Sequence, residues 1–172
     1  HTKAIVAVDY AGQPCEYDAL YEIAQKHDLR LVADACHSLG ATYKGKKVGT
    51  LADLTVFSFH PVKHITTGEG GMVLSNNPEY VTHIRRFRNH GMNTDHHRRS
   101  RQGSWYYEIE RLGYNYRMTD IQCALGISQL RKLMQWIVRR RKIAERYDNA
   151  FAKNDNIDSL KVEWFVEHAY HL

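Results

Sequence analysis

Two short apolar runs, separated by a helical pattern, most constrain the fold of this chain. Ala4–Val8 is apolar throughout, and residues 29–33 are apolar except for Arg30. A strand with one solvated face would alternate apolar and polar residues, so the first run is typical of a strand buried on both faces of a parallel sheet, and the second run predicts another strand. Between them, apolar residues recur at helical spacing over residues 18–27. The order strand, helix, strand predicts a βαβ unit with a right-handed crossover, and hence an α/β fold.

The composition is that of a globular protein of one-domain size, with 172 residues of which 43% are hydrophobic. No apolar run approaches the roughly 20 residues that span a bilayer, and no signal-peptide pattern opens the chain, so we expect a cytoplasmic protein with no membrane partner. The three cysteines are widely spaced and suggest neither a disulfide framework nor a zinc site. The chain opens directly in one apolar segment and ends in another, which predicts an internal fragment of a longer protein.

Asp34 follows the second predicted strand directly. Ligands of open α/β sheets bind beyond the carboxyl ends of the strands, which places Asp34 where functional groups gather. His37, three residues on, could reach the same ligand or satisfy the loop. Because Asp also starts turns readily, the residues alone leave both roles open.

Lys63 lies between a predicted strand at residues 54–59 and a turn rich in threonine and glycine. A partly desolvated lysine flanked by hydroxyls is what a Schiff-base amine requires, although an ordinary surface lysine explains the same pattern. The Ser58 hydroxyl could bind a phosphate oxygen, and the glycines at residues 68–71 allow a backbone to approach a ligand closely. Residues 72–74 then predict a strand antiparallel to its neighbour, because the connection is too short for a crossover helix.

The second half of the chain predicts mainly helices. A helix is expected at residues 79–88, and the aperiodic residues 89–113 are expected to form a lid or a subunit-interface arm. The adjacent pair His96 and His97 does not have metal-ligand spacing, so no metal is expected. One long helix is predicted over residues 119–151, followed by a strand at 157–165.

Four motifs, in order along nearly the whole chain, carry a family resemblance. They are residues 34–41 (DACHSLGA), 58–63 (SFHPVK), 66–71 (TTGEGG) and 113–118 (GYNYRM). Together they resemble the DegT-type, fold type I, sugar aminotransferases that depend on pyridoxal 5'-phosphate (PLP). Residues 8–12 (VDYAG), the His-Pro-Val-Lys form of the lysine motif and residues 112–117 (LGYNYR) are most similar to the branch that aminates UDP-4-keto-6-deoxy-N-acetylhexosamine in pseudaminic acid biosynthesis.

The resemblance implies roles for four residues of the first half. Lys63 would be the Schiff-base lysine and the proton carrier. Asp34 would pair with the pyridinium nitrogen, where a carboxylate keeps the ring protonated so that it can act as an electron sink. His37 would lie near the ring hydroxyl, and Ser58 would bind the cofactor's phosphate.

The resemblance also implies an assembly. Asn115 would reach the phosphate of the neighbouring subunit's cofactor, so the active unit would be a homodimer with a shared active site. His60 and His90 are placed near the substrate. Residues 1–118 would be part of the PLP-binding large domain, a mostly parallel sheet with flanking helices, 119–152 a long connecting helix, and 153–172 the start of a small domain. The family's upstream phosphate turn and stacking aromatic residue lie outside the chain.

The expected reaction is transfer of an amino group, from glutamate, to C4 of a UDP-linked 4-keto-6-deoxy-N-acetylhexosamine. A family member that acts on another keto sugar or ring position is the first alternative. The net charge of +5 leaves an anionic partner open. A basic, non-catalytic module could therefore bind nucleic acid through Arg98, Arg99, Arg101 and residues 139–142. Such runs are usually solvated faces, so no nucleic-acid partner is expected.

Overall fold

The computed structural model describes residues 1–93 and 107–172. They form two compact units. The first unit comprises His1–Asn76 and Asp120–Leu172, and the second Asn77–Thr119. The assignment of large domain, connecting helix and small domain to residues 1–118, 119–152 and 153–172 stays a prediction.

A four-stranded mixed sheet organises the first unit. Its elements, in chain order, are β1 (Ala4–Val8), α1 (Tyr17–Lys26), β2 (Arg30–Asp34), β3 (Thr42–Tyr43), β4 (Lys46–Lys47), β5 (Leu54–Ser58) and β6 (Gly71–Leu74). The strand order is β1, β2, β5, β6. β1, β2 and β5 run parallel, and β6 returns antiparallel to β5. The βαβ unit and the antiparallel return predicted from the sequence are therefore confirmed.

The expectation that β1 is buried on both faces is wrong for the described residues. Val6 is 62% exposed and Val8 50%, whereas Ala7 between them is 5% exposed. β1 lies at one edge of the sheet, and its Ala7 face packs in the core beneath α1. Side chains alternate across a strand, so cover on one face leaves the other open.

The core of this unit lies between α1 and the sheet. Leu31 and Tyr17 are almost completely buried, and the Tyr17 ring meets the Tyr43 ring edge-on, with centroids 5.8 Å apart. Full burial of a side chain such as Leu31 stabilises the fold by about 1.5–3 kcal/mol. Tyr17 and Ala24 are the buried residues of α1, so this helix is fixed to the sheet by one narrow face.

The polar stretch after β2 forms a hairpin of β3 and β4. Lys44 and Gly45 join β3 to β4, and both have positive φ (47° and 76°), as a two-residue type I′ turn requires. A third strand, β9 (Val166–Glu167), pairs antiparallel with the other side of β3. The strand predicted at residues 157–165 is thus wrong in position.

The single long helix predicted over residues 119–151 is two helices, α3 (Asp120–Leu130) and α4 (Leu133–Phe151). The Lys132 N–H bonds to the Gln129 carbonyl at 2.9 Å, an i to i−3 turn that interrupts the helical ladder. Ile137 of α4 is then completely buried, and a Cβ added at Gly40 would lie 2.9 Å from it. Among the described residues, no helix is long and apolar enough to cross a membrane.

The second unit holds α2 (Pro78–Phe87), β7 (Met92–Asn93) and β8 (Glu108–Ile109). Asn77 caps α2 by accepting hydrogen bonds from the N–H groups of Glu79 and Tyr80, and the helix predicted at residues 79–88 lies one residue earlier at each end. β7 and β8 pair antiparallel inside the stretch predicted as a lid. His96, His97 and the arginines at 98, 99 and 101 lie outside the described residues.

Candidate active site

The carboxyl ends of three parallel strands meet at one edge of the main sheet. Val8 pairs with Asp34, and Asp34 with Val56, so β1, β2 and β5 end side by side. The Asp9 N–H continues this pairing to the Asp34 carbonyl at 3.0 Å. Since ligands of such sheets bind beyond these ends, this edge is the candidate site.

Lys63 lies in the loop that follows β5. The loop is closed at Phe59, whose N–H donates to the Gly70 carbonyl at 2.8 Å and whose carbonyl accepts from the Thr67 N–H at 3.0 Å. Within the loop, the Lys63 N–H donates to the His60 carbonyl at 3.0 Å. The backbone that carries the half-buried Lys63 is therefore fixed by hydrogen bonds on both sides.

The charges of Asp34 and Lys63 both act on the His37 ring. Burial lowers the pKa of His37, the positive charge of Lys63 lowers it further, and the charge of Asp34 opposes them. The same two charges act on the Cys36 thiol, whose pKa is raised to about 11 by burial first, then by Asp34, with Lys63 opposing. The structure thus brings together three of the residues that the sequence predicts for the site.

Ser58 and His60 lie at the end of β5 and the start of the loop. The Ser58 hydroxyl accepts a hydrogen bond from the His60 N–H at 3.3 Å. The His60 ring is exposed, with Nε2 4.0 Å from a carboxylate oxygen of Glu69. Ser58 therefore lies on the same sheet edge as Asp34, whereas the His60 ring lies on the surface of the loop.

Asn115 and His90 belong to the second unit. Asn115 forms an antiparallel bridge with Asn89, whose side-chain oxygen accepts a 2.8 Å hydrogen bond from Arg117. The His90 N–H donates to the Tyr114 carbonyl at 2.9 Å. Both residues are held in paired backbone within this unit, and their predicted roles stay predictions.

Asp9 is a residue of this edge that sequence reasoning missed. It is completely buried. One carboxylate oxygen accepts from the Cys15 N–H at 2.9 Å and the Tyr17 hydroxyl at 2.8 Å, and the other accepts from the Ser38 hydroxyl at 2.6 Å. Burial raises the pKa of Asp9, while these hydrogen bonds oppose the rise. Its position directly after β1, comparable to that of Asp34 at the end of β2, is the signal that could have identified it.

His37 belongs to a cluster of three histidines, and the sequence reasoning did not predict the other two, His64 and His171. The ring centroids of His37 and His171 are 4.3 Å apart, and those of His171 and His64 are 5.5 Å apart. Burial is the main reason that the pKa values of His64 and His171 are both lowered to about 4. No local pattern announces this cluster, because its members come from three distant parts of the sequence.

The donor set at this edge fits PLP. Lys63 supplies a primary amine, Asp34 an anion for a protonated ring nitrogen, and Ser58 a hydroxyl for a phosphate oxygen. The Nδ1 atom of His37 accepts a hydrogen bond from the Ala11 N–H at 3.3 Å, so neutral His37 carries its proton on Nε2 and can donate it. Nδ1 of His171 is buried with no hydrogen-bond partner among the described residues.

Comparison with known proteins gives one consistent family. The DegT/DnrJ/EryC1/StrS aminotransferase family matches residues 1–172. The chain is 44% identical over 169 residues to the UDP-4-amino-4,6-dideoxy-N-acetyl-beta-L-altrosamine transaminase of Campylobacter jejuni serotype O:23/36, covering 98% of this chain and 43% of that protein. It is 42% identical over 172 residues to the spore coat polysaccharide biosynthesis protein SpsC of Bacillus subtilis, covering 99% and 44%. The chain thus spans less than half the length of these relatives.

Solved structures similar to this chain are also aminotransferases. PseC of Helicobacter pylori, an aminotransferase involved in pseudaminic acid biosynthesis, superposes with a TM-score of 0.83 at 41% identity, over 90% of this chain and 40% of that one. A Streptococcus pneumoniae protein assigned as a sugar aminotransferase superposes in its PMP form with a TM-score of 0.90 at 35% identity, over 99% and 48%. That protein is also known in a PLP form. The predicted α/β fold of a PLP-dependent aminotransferase is confirmed.

Proposed function

We propose that this chain, which belongs to the DegT/DnrJ/EryC1/StrS aminotransferase family, supplies the lysine-bearing part of a PLP-dependent nucleotide-sugar aminotransferase. The proposed reaction transfers an amino group, from glutamate, to C4 of a UDP-linked 4-keto-6-deoxy-N-acetylhexosamine. The proposed enzyme is a cytoplasmic homodimer whose active site is shared between subunits. We expect neither a membrane nor a nucleic acid to be a partner of this enzyme.

One observation carries the proposal. Asp34 at the end of β2 and Lys63 in the loop after β5 both reach His37 with their charges, Lys63 lowering the pKa that burial already lowers and Asp34 opposing it. An amine and a carboxylate brought close to one imidazole, with the Ser58 hydroxyl on the same edge, are the groups that hold and tune a pyridoxal ring. Perturbed titratable groups at a sheet edge are themselves typical of functional sites.

Each residue then has a separable task. When bound, PLP supplies an electron sink for the bond electrons released at the amino-bearing carbon. Asp34 holds a proton on the ring nitrogen through its negative charge, and the Nε2–H of His37 is the donor for the ring hydroxyl. The Lys63 amine attaches the cofactor in the resting enzyme and moves a proton during transfer. Ser58 donates to the phosphate.

The sugar substrate is proposed from the relatives. The Campylobacter jejuni relative is a transaminase of UDP-4-amino-4,6-dideoxy-N-acetyl-beta-L-altrosamine, and PseC functions in pseudaminic acid biosynthesis. The intact protein should therefore aminate a UDP-linked 4-keto sugar faster than its dTDP-linked counterparts. An assay of both series with glutamate and other amino donors checks the sugar, the nucleotide and the donor together.

The basic run at residues 139–142 lends little support to a nucleic-acid-binding module. Arg140 donates to the Tyr170 carbonyl at 2.8 Å, and Arg141 to the His168 carbonyl at 3.0 Å. Both arginines are half-buried and hold the backbone of residues 168–170. The prediction that this run is a solvated face is therefore wrong for these two residues.

The decisive experiment is spectroscopic. The intact protein with PLP should show a visible absorption band that glutamate bleaches. Lys63→Ala should lose the band, and Lys63→Arg, which keeps the positive charge but cannot attach the cofactor, should lose it as well. Lys47→Ala, an exposed hairpin lysine, is the control and should keep it. A protein without the band, or a Lys63→Arg variant that retains it, contradicts the proposal.

A further inference from the structure

We propose that His171 is a positioning residue of the Lys63 site, whose ring packs on His37 and holds the orientation and tautomer with which His37 meets the cofactor. The inference rests on the proposed function of Lys63 and His37. His171 lies outside the four sequence motifs that carry the family resemblance.

Two aromatic rings pack against the His37 ring. The Tyr10 ring lies 5.5 Å from the His37 ring at 58°, and the His171 ring lies 4.3 Å away at 34°. His171 in turn contacts His64 at 5.5 Å. Of the two rings that contact His37, the His171 ring is the closer, so its contact restricts the His37 ring more.

The same short turn anchors both rings. The Ala11 N–H donates to Nδ1 of His37 at 3.3 Å, while the Ala11 carbonyl accepts from the His171 N–H at 2.9 Å. Gly12 makes this approach possible, because a Cβ there would lie 2.9 Å from the Tyr170 nitrogen and 3.0 Å from the His37 carbonyl oxygen. The backbone of the turn at Tyr10–Gly12 therefore connects His37 to the terminal segment, residues 168–172.

Burial first, and the positive charges around the cluster second, favour the neutral form of the packed rings. Lys63 and Arg140 are the positive groups that act on His171, and His37 and His64 are the titratable ones next to it. A proton on His171 would face both cations in a partly buried setting, which is unfavourable. Burial also lowers the pKa of His64 to about 4, although its Nε2–H donates to the Ala169 carbonyl at 3.1 Å, which opposes the shift. With His171 neutral, burial and the charges of Lys63 and Asp34 set the protonation state of His37.

His168 offers a matched comparison within the same segment. It is also buried, but its ring packs on Tyr170 at 4.3 Å, and its Nδ1 accepts from the Tyr170 N–H at 2.8 Å. A change at His168 therefore disturbs the backbone of the terminal segment without removing a ring from His37. It separates general damage to the segment from loss of the His171 packing.

The test is histidine NMR on the intact protein without PLP, comparing His171→Ala, His171→Phe and His168→Ala. Wild-type His37 should titrate below the usual histidine range as the Nε2–H tautomer. In His171→Ala, its midpoint should rise towards about 6.5 and both tautomers should be populated. His171→Phe, which keeps a ring of similar shape, should restore the wild-type tautomer. Because no cofactor is present, this result does not depend on whether the protein is an aminotransferase.

A second readout uses PLP itself. His171→Ala should weaken PLP binding by about three- to tenfold, the range expected for one aromatic pair. His171→Phe should stay within about twofold of wild type. The inference is overturned if His37 keeps its titration and tautomer in folded His171→Ala, if His168→Ala changes them equally, or if His171→Phe fails to restore them. Should His171→Ala not fold, the His171→Phe and His171→Gln pair decides, since Gln lacks the ring and should behave as Ala.

Discussion

Ser38 donates its hydroxyl hydrogen to Asp9 at 2.6 Å, and both side chains are completely buried. The other Asp9 oxygen receives the Tyr17 hydroxyl and the Cys15 N–H. One carboxylate thus joins the end of β1, the start of α1 and the turn that carries His37. It fixes the backbone on which the candidate site is built.

Asp9→Ala should be strongly destabilising. The change leaves the buried Tyr17 and Ser38 hydroxyls and the part-buried Cys15 N–H without the Asp9 acceptor, and each unpaired buried group costs about 1–3 kcal/mol, so the total should reach about 3 kcal/mol or more. Chemical denaturation measures it. Asp9→Asn should cost much less, because an amide oxygen can still accept from Tyr17 and Cys15. Equal losses in the two variants would contradict this account.

The Asp9 carboxyl should also shape the pH profile of stability. Burial raises its pKa above 3.8, so the folded protein binds this proton more readily than the unfolded protein does. Its contribution to stability is therefore greatest below pH 3.8 and falls as pH rises through the folded-state pKa. Asp9→Asn should remove this contribution and make the difference in stability from wild type depend on pH.

Gly12→Ala should loosen the terminal segment from the site. Gly12 has φ 110°, and the added Cβ would meet backbone atoms of Tyr170, His37 and His171 at 2.9–3.1 Å. Strain of this kind costs about 1–3 kcal/mol, and relief requires the segment or the turn to move. Gly45→Ala is the control, since it has φ 76° but nothing within 4 Å of the added Cβ. Denaturation should show a larger loss for Gly12→Ala, and His37 NMR signals should shift only in that variant.

His64 should make the protein lose stability in acid. Its pKa is lowered to about 4 from 6.5, chiefly by burial, so the unfolded chain binds this proton first. The contribution of neutral His64 is complete above pH 6.5 and is lost as pH falls towards 4, with an upper limit of about 3 kcal/mol. His64→Phe should flatten the stability profile between pH 4 and 6.5. His27→Gln removes an exposed histidine and should leave the profile unchanged.

Local pattern predicts most of the fold because strand and helix signals are carried by neighbouring residues. The βαβ unit, the hairpin and the Asn77 cap all follow from such signals. The break between α3 and α4 was not predicted because the helical period of apolar residues continues across it. The exposure of Val6 and Val8 was not predicted because burial depends on what covers a strand, and the strand's own residues do not encode that.

The candidate site likewise contains residues that local motifs predict and residues that only distant contacts bring to it. Asp34 ends β2 and Lys63 lies in the loop after β5, and their motifs mark both in the sequence. Asp9 and Ser38 are 29 residues apart, and the sequence holds no sign that they meet. His171 is further still from His37, so only the folded turn at Ala11 shows that they share a site.

Asp34→Asn should separate cofactor binding from catalysis. An uncharged amide no longer favours the proton on the ring nitrogen, so the electron sink is weakened while Lys63 and Ser58 still hold the cofactor. We expect a normal content of PLP with the glutamate half-reaction slowed by at least about a hundredfold, measured by stopped-flow absorbance. Asp18→Asn, an exposed carboxylate paired with Lys44, is the control. A near-normal rate in Asp34→Asn would remove Asp34 from its proposed role.

Mixed dimers test whether the site is shared between subunits. If Asn115 of one subunit serves the Lys63 site of the other, then Lys63→Ala and Asn115→Ala homodimers should both be strongly impaired. A random mixture contains half mixed dimers, each with one intact site, so activity should recover to about a quarter of wild type. Unfolding and refolding the two variants together, with separately refolded samples as the control, provides the measurement. If Asn115 and Lys63 instead served the same subunit's site, each site of a mixed dimer would carry one defect, and co-refolding would restore nothing.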